Sequence, residues 1–175
     1  TEKLRANSFV LSGWTFAGWS DQQIGEIKYT DGQAYTFKKD DAATLDLHAQ
    51  WFKQDGSSIT VPGKDGDPSN ADTNVTGSGK GINRDTTTGV ITIPSGGTIE
   101  VTKNGKTETI LLPNGGMLNP DGSYTIKLPG GSKIEVDKDG NETVKDNNGN
   151  TKPDAAVATL VYKINNADGD EVTVK

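Results

Sequence analysis

The sequence predicts an all-β protein that is elongated and contains little helix. Short runs of alternating apolar and polar residues, such as ITI at 91–93 and YTIKL at 124–128, have the period of half-buried strands. Asn-Gly and Asp-Gly pairs separate these runs and supply the positive φ that tight hairpin turns need. The 22 glycines and 7 prolines among the 175 residues further indicate many turns.

Aromatic residues are concentrated in the first third of the chain. Nine of the eleven Phe, Trp and Tyr residues lie in 1–52, and GWTFAGWS at 13–20 holds two of the three tryptophans. Only 31% of the residues are hydrophobic, whereas about 45–50% is usual when glycine is counted. We therefore predict a small module at 1–60 with an aromatic core, in which a turn at 38–43 precedes a strand at 44–52.

Glycine-rich segments with few aromatic residues follow this module. Residues 62–89 have no aromatic side chain and little apolar content, so we assign 61–89 to a linker. Beyond it, ITIPSGGTIEVTKNG at 91–105 aligns with IKLPGGSKIEVDKDG at 126–140, with nine corresponding positions at a constant offset of 35. We predict two copies of this β repeat at 90–153, arranged as a meander or as a small β-solenoid.

The C-terminal segment 154–175 is predicted to form a β-hairpin. Two runs with strand character flank NNADGD at 165–170, which has the composition of a tight turn.

A sequence motif runs through the aromatic module. Its start reads N-x-F-x-x-x-G-W-x-F-x-G-W, its middle Y-x-D-G and its end L-x-A-x-W. The residues that carry it are Asn7, Phe9, Gly13, Trp14, Phe16, Gly18, Trp19, Tyr29, Asp31, Gly32, Leu45, Leu47, Ala49 and Trp51. By these residues, 4–51 resembles the Listeria–Bacteroides repeat, the B-repeat module of internalin-type surface proteins. The resemblance implies a small β-grasp-like module, strung in arrays on secreted or wall-anchored proteins as a spacer, an adhesin or a receptor contact.

Two features depart from the family pattern. His48 stands where the family has Tyr in L-Y-A-x-W, and the strand or hairpin that normally precedes the N-x-F segment is missing. A sheet without that strand has a bare edge. The 154–175 hairpin resembles such an opening hairpin. We therefore predict that it begins the next module or supplies the missing strand, within the chain or by exchange with a second copy.

The aromatic segment has two interpretations. Trp14 and Trp19 are candidate ligand contacts for a glycan or a host protein, because aromatic residues dominate binding hot spots. Alternatively they form the core that a module of about 50 residues needs, and we favour this interpretation. An uninterrupted strand would place Trp14 and Phe16 on one face and Trp19 on the other, whereas a turn at Gly18 would change this.

No catalytic, cofactor-binding or metal-binding set is predicted, and we expect no enzyme. The chain has no cysteine and His48 is its only histidine, which argues against a Ser-His-Asp triad and a transition-metal site. The loop that begins at Asp137 departs from an EF-hand, because Glu142 holds the glycine position and Asn148 the terminal glutamate position. GSGKG at 77–81 does not satisfy the phosphate-loop pattern. Bound calcium and Lys–Asn isopeptide crosslinks stay open.

Charge and hydropathy limit the partners. A formal net charge of −6 without a basic stripe argues against nucleic acid, and no apolar run approaches the ~20 residues that cross a bilayer. With the resemblance, these features predict a non-enzymatic spacer or adhesive segment of a bacterial surface protein, extracellular and at the cell surface or anchored in the cell wall. The alternative is a module that binds carbohydrate or a host protein through the aromatic segment or a β edge.

Overall fold

Short strands and tight turns make up nearly all of the described chain. The structure, a computed structural model, describes residues 1–38, 44–63, 66–152, 162–165 and 171–174, the last two ranges by their backbone. The strands are β1 (Glu2–Lys3), β2 (Thr15–Ser20), β3 (Ala34–Tyr35), β4 (His48–Asp55), β5 (Ser58–Val61), β6 (Val75–Ser78), β7 (Asn83–Arg84), β8 (Ile91–Ile93), β9 (Gly97–Lys103), β10 (Lys106–Leu112), β11 (Gly116–Leu118), β12 (Tyr124–Lys127), β13 (Lys133–Val136), β14 (Glu142–Lys145), β15 (Thr151–Lys152), β16 (Tyr162–Asn165) and β17 (Glu171–Val174).

The predicted all-β class is confirmed. In the described ranges the helical elements are two 3-10 helices of three residues, Ala71–Thr73 and Pro129–Gly131. None of the helices in this part of the chain is long and apolar enough to span a membrane.

Two large sheets contain most of the strands. The first has eight strands in the order β16-β17-β10-β9-β6-β5-β4-β2, and the second has seven in the order β15-β14-β13-β12-β11-β8-β7. β1 and β3 form a separate two-stranded sheet. Neighbouring strands are antiparallel, except that β17 runs parallel to β10.

The core is a layer of aliphatic side chains from the inner faces of both sheets. Seven come from the first sheet and seven from the second, and they alternate with more exposed residues along each strand. The first set is Ile59, Val61, Val75, Ile99, Val101, Ile110 and Leu112, and the second is Ile91, Ile93, Leu118, Ile126, Ile134, Val136 and Val144. The two large sheets therefore pack face to face as a sandwich.

The segment 61–89, expected to be a linker, contributes strands to both sheets. β6 pairs with β5 on one side and with β9 on the other, and its Val75 is buried in the core. β7 pairs with β8 at the edge of the second sheet. Low apolar content was misleading here because a short strand needs few core residues. Gly77 also leaves room that Ile93 fills, since a β-carbon at Gly77 would lie 2.8 Å from Ile93 Cδ1.

The two sequence repeats occupy different positions in the sandwich. In the second copy, β12 and β13 pair as a hairpin in the second sheet. In the first copy, β8 lies in the second sheet while β9 crosses to the first. A β-carbon at Gly97 would lie 2.5 Å from both Ser78 O and Ile93 Cγ2, and the second copy has Ser132 at this position. Of the two predicted arrangements, a meander describes β11 to β15.

The N-terminal strands extend the first sheet. β4 pairs with β2 through its first half and with β5 through its second half. The sheet therefore continues from the predicted module at 1–60 into the glycine-rich strands. The strand predicted at 44–52 begins at His48 and ends at Asp55, while 39–43 of the predicted turn lies outside the described residues.

The C-terminal hairpin lies at the far edge of the first sheet. β16 pairs with β17, and β17 pairs with β10 through Ile110–Thr173 and Leu111–Val174. β2 occupies the opposite edge, so within this chain the hairpin pairs with β10 rather than with the N-terminal module. Its roles as the start of a next module and in exchange between copies stay predictions. Residues 154–161, 166–170 and 175 of this segment lie outside the described ranges.

Candidate functional site

A β-bulge at Gly18 determines which aromatic side chains share a face. Phe16 lies opposite Trp51 on β4, but Gly18 lies opposite Gln50, so Ala17 is the extra residue. Gly18 has a φ of +142°, and a β-carbon there would lie 2.6 Å from Ile27 Cγ2. The bulge reverses the alternation of β2 and places Phe16 and Trp19 on the same face.

These rings form a cluster of edge-on contacts. The centroids of Phe16 and Trp19 are 5.0 Å apart, those of Phe16 and Trp51 5.7 Å, and those of Phe9 and Trp19 6.5 Å. T-shaped pairs at these distances stabilise a core beyond their buried area. The cluster is the aromatic core of the N-terminal strands.

The structure separates the two tryptophans predicted as candidate ligand contacts. Trp19 is 8% exposed and lies inside the cluster, whereas Trp14 is half-buried at the turn before β2, where its amide donates to Leu11 O. Trp19 Nε1 is buried and has no hydrogen-bond partner in the described part of the chain. Trp14 is thus the more accessible of the two.

Three exposed apolar side chains of the N-terminal segment are together named the aromatic rim. Phe9 belongs to the aromatic cluster, Val10 follows it in the chain, and Phe37 belongs to a second set of edge-on rings. Phe9 is 63% exposed, Val10 94% and Phe37 52%, and they are the exposed large hydrophobics of the described ranges. The ring of Phe37 meets that of Tyr35 at 4.9 Å, and Tyr35 meets Tyr29 at 5.7 Å. Sequence reasoning missed this rim, although the apolar pair Phe9-Val10 between polar residues was a visible indication.

The reverse face of β2 and β4 is covered by the loop that follows β2. The Gln50 side chain is buried, donates from Nε2 to Gln23 O and His48 O, and accepts from the Gly25 amide. These bonds hold the loop after β2. His48, the only histidine, is exposed and lies opposite Ser20.

A cation–π contact joins the two sheets near the aromatic strands. Arg84 on β7 lies over the Phe52 ring of β4, with Cζ 4.0 Å from the ring centroid. Burial lowers the pKa of Arg84, and the neighbouring Asp85 opposes this shift. The guanidinium remains charged, so the contact keeps its electrostatic component.

A small groove lies between the turn that joins β9 to β10 and the turn that joins β13 to β14. Its volume is about 140 Å³, with Val75 and Val101 among its apolar lining and Lys103, Lys138 and Tyr124 among its polar lining. Burial, together with the charges of Glu108 and Glu142, raises the pKa of Tyr124 to about 12. The groove combines apolar and charged walls.

The acidic turn predicted not to be an EF-hand is a hydrogen-bonded hairpin turn. Asp137 accepts bonds from the amides of Asp139 and Asn141 and from Asn141 Nδ2. These bonds lower the pKa of Asp137, the Asn141 side chain contributing most. Asp146, nine residues after Asp137, accepts the corresponding bonds from the amides of Asn148 and Asn150 and from Asn150 Nδ2. Within the described ranges, no group of three His, Cys, Asp or Glu residues is placed to hold a metal ion.

A broad concavity of about 550 Å³ covers part of the outer face of the second sheet. Met117, Thr125, Glu135 and Thr143 form a row across its strands. Glu135 lies between two lysines on the same face, 2.6 Å from Lys133 Nζ and 3.2 Å from Lys145 Nζ. These ion pairs lower the pKa of Glu135, with the Lys133 hydrogen bond as the largest cause.

Comparison with known proteins finds no matching family model, no matching curated protein and no matching solved structure. The resemblance of 4–51 to the Listeria–Bacteroides repeat therefore stays a prediction from the motif.

Proposed function

We propose that this chain is a non-enzymatic spacer segment of a bacterial cell-surface protein, extracellular and held at the cell wall. The continuity of the first sheet is the observation that carries the proposal. β4 pairs with β2 through residues 48–52 and with β5 through residues 53–55, so one strand runs from the aromatic strands directly into the glycine-rich strands. A continuous strand limits bending between these parts more than a flexible glycine-rich linker would. A rigid segment holds a functional tip at a fixed distance from the wall.

The positions of the edge strands support the same role. β2 and β16 occupy the two edges of the eight-stranded sheet. Six strands lie between them in the strand order of this sheet. The N-terminal aromatic strands and the C-terminal hairpin therefore lie at opposite edges of this sheet. The sequence resemblance to a module found in surface arrays supports the location.

Unfolding followed by two probes tests the rigid-segment proposal. Trp14, Trp19 and Trp51 all lie within residues 1–52, so tryptophan fluorescence follows the N-terminal segment while circular dichroism follows every strand. We expect coincident urea transitions. Ile110→Ala, in a fully buried position on β10, should lower stability by about 2–4 kcal/mol and shift both transitions equally. A tryptophan transition unchanged by this substitution would contradict a shared rigid unit.

An adhesive function is the second candidate. The exposed side chains of Phe9, Val10 and Phe37 support it, because apolar side chains at a rim are typical of contact surfaces. The partner would be a glycan or a host protein.

Glycan and host-protein arrays test the adhesive candidate. The wild type should bind a ligand that Phe9→Ser/Phe37→Ser loses, while the matched exposed double variant Lys53→Ser/Lys106→Ser should retain it. Equal binding by all three proteins would exclude the aromatic rim, and absence of binding by the wild type would leave the spacer function alone.

A further inference from the structure

The chain contains three Asn-Gly pairs, each in an exposed turn, at Asn104, Asn114 and Asn148. Asparagine followed by glycine can cyclise without an enzyme. The glycine amide nitrogen bonds to the asparagine Cγ, the Cγ–Nδ2 bond breaks, and ammonia leaves. Water then opens the cyclic imide to aspartate or isoaspartate. The attacking nitrogen has to lose its proton, so a hydrogen bond that occupies this N–H slows the reaction.

The glycine amides differ at the three sites. The Gly115 amide donates to Leu112 O at 3.0 Å, and the Gly149 amide donates to Asp146 O at 3.0 Å. The Gly105 amide makes no hydrogen bond with the residues that the structure describes. All three asparagines are exposed, so exposure does not distinguish the sites. The sites differ in whether the amide N–H of the following glycine is hydrogen-bonded.

The local conformation also favours the first site. Asn104 and Gly105 form the two-residue turn between β9 and β10, with φ of 50° and 73°. Lys103 and Lys106 flank the turn in the sequence. Among the described residues, Asp72 is the one neighbour near Gly105, with its Oδ1 3.5 Å from the position of a β-carbon there, so the turn keeps the room that ring closure needs.

From this geometry we infer that Asn104 is a site of spontaneous covalent modification, the fastest of the three Asn-Gly pairs to deamidate in the folded protein. The product places a new carboxyl group at the rim of the groove that Lys103 and Asp139 line. Isoaspartate also adds one backbone carbon to a turn whose two-residue length sets the β9–β10 register.

Peptide mapping after incubation of the full chain at mildly alkaline pH tests this inference. Cleavage after Glu100 and Glu108 releases 101–108, in which Asn104 is the single asparagine. Deamidation raises the peptide mass by about 1 Da. We expect Asn104 to react about fivefold faster than Asn114 or Asn148, the factor that corresponds to one net backbone hydrogen bond. In urea the three rates should converge.

Two further results decide the inference. Asn104→Gly keeps a residue that accepts positive φ but removes the reacting amide, so the fast-forming acidic species seen by ion exchange should disappear. Equal rates at the three sites in the folded protein, or a faster reaction at Asn114 or Asn148, would overturn the assignment.

Discussion

The rings of Phe16 and Trp19 meet edge-on with centroids 5.0 Å apart, although an odd number of positions separates the two residues in β2. The bulge at Ala17 and Gly18 makes this contact possible, because it reverses the alternation of the strand. Without it, Trp19 would face the side where Gln50 lies. The aromatic core therefore depends on a backbone feature, and this leads to a first prediction.

Gly18→Ala should destabilise the protein strongly. Gly18 has a φ of +142°, and the added methyl group would lie 2.6 Å from Ile27 Cγ2 and 3.0 Å from Tyr29 O. Positive φ and overpacking together should cost about 2–4 kcal/mol. Gly13→Ala is the matched control, since Gly13 also has positive φ but nothing within 4 Å, and it should cost about 1 kcal/mol. Equal losses in urea unfolding would show that space at Gly18 is unimportant.

Gly97→Ala tests the crossing between the sheets. The methyl group would lie 2.5 Å from Ser78 O and from Ile93 Cγ2, so β9 and β6 would have to move apart. We expect a loss of about 2–4 kcal/mol in the free energy of unfolding. Ser132→Ala, at the corresponding position of the second repeat, is partly buried outside the core and should change stability by about 0.5 kcal/mol or less. A similar effect at both positions would mean that the repeats are structurally equivalent.

The same glycine illustrates what sequence patterns could predict here. Alternation and turn residues predicted the class and most strands of 90–152, because both are local properties of the chain. The assignment of β8 and β9 to different sheets depends on the close approach of Gly97 to Ser78, which lies outside the repeat. Likewise, Val75 and Gly77 make β6 a central strand only because β5 and β9 lie beside it. Low apolar content in 61–89 could not indicate those neighbours.

The candidate surfaces, like the fold, could be predicted from the sequence only in part. The aromatic composition indicated a core around Trp19, which the structure places at 8% exposure. The side on which each ring lies could not be read from the spacing, because the bulge adds one residue to β2. The groove beside Tyr124 was not predicted, because its walls come from two hairpins that approach only through the packing of the sheets.

Asp137→Asn should weaken the turn between β13 and β14 in a pH-dependent way. The bonds from Asn141 and Asp139 hold the pKa of Asp137 below its ordinary value. A lowered folded-state pKa gives stability that is present above the ordinary pKa and is lost as the pH falls through the folded value. Melting temperatures of wild type and variant should therefore differ at neutral pH and converge in acid.

Asp146 offers an internal replicate of this experiment. Its pKa is lowered by the same kind of bonds from Asn150 and Asn148. The two turns lie at opposite ends of β14, so the effects of Asp137→Asn and Asp146→Asn should add in the double variant. A difference that persists unchanged into acid would assign the loss to packing rather than to the carboxylates.

Tyr124 should make the protein sensitive to alkali. Burial is the main cause that raises its pKa to about 12, and the nearby carboxylates of Glu108 and Glu142 add to it. In the unfolded chain the phenol ionises near pH 10, so the folded state retains the proton over a range where the unfolded state loses it. The stability that this proton contributes is therefore fully present below about pH 10 and falls as the pH rises towards 12.

After allowance for the partial exposure of the ring, the loss of stability should be about 1–2 kcal/mol. Tyr124→Phe should flatten this alkaline slope in urea unfolding. Tyr29→Phe, at a half-buried tyrosine of the N-terminal segment, is the matched control that should retain it. An unchanged slope in Tyr124→Phe would show that the phenol is open to solvent in the folded protein.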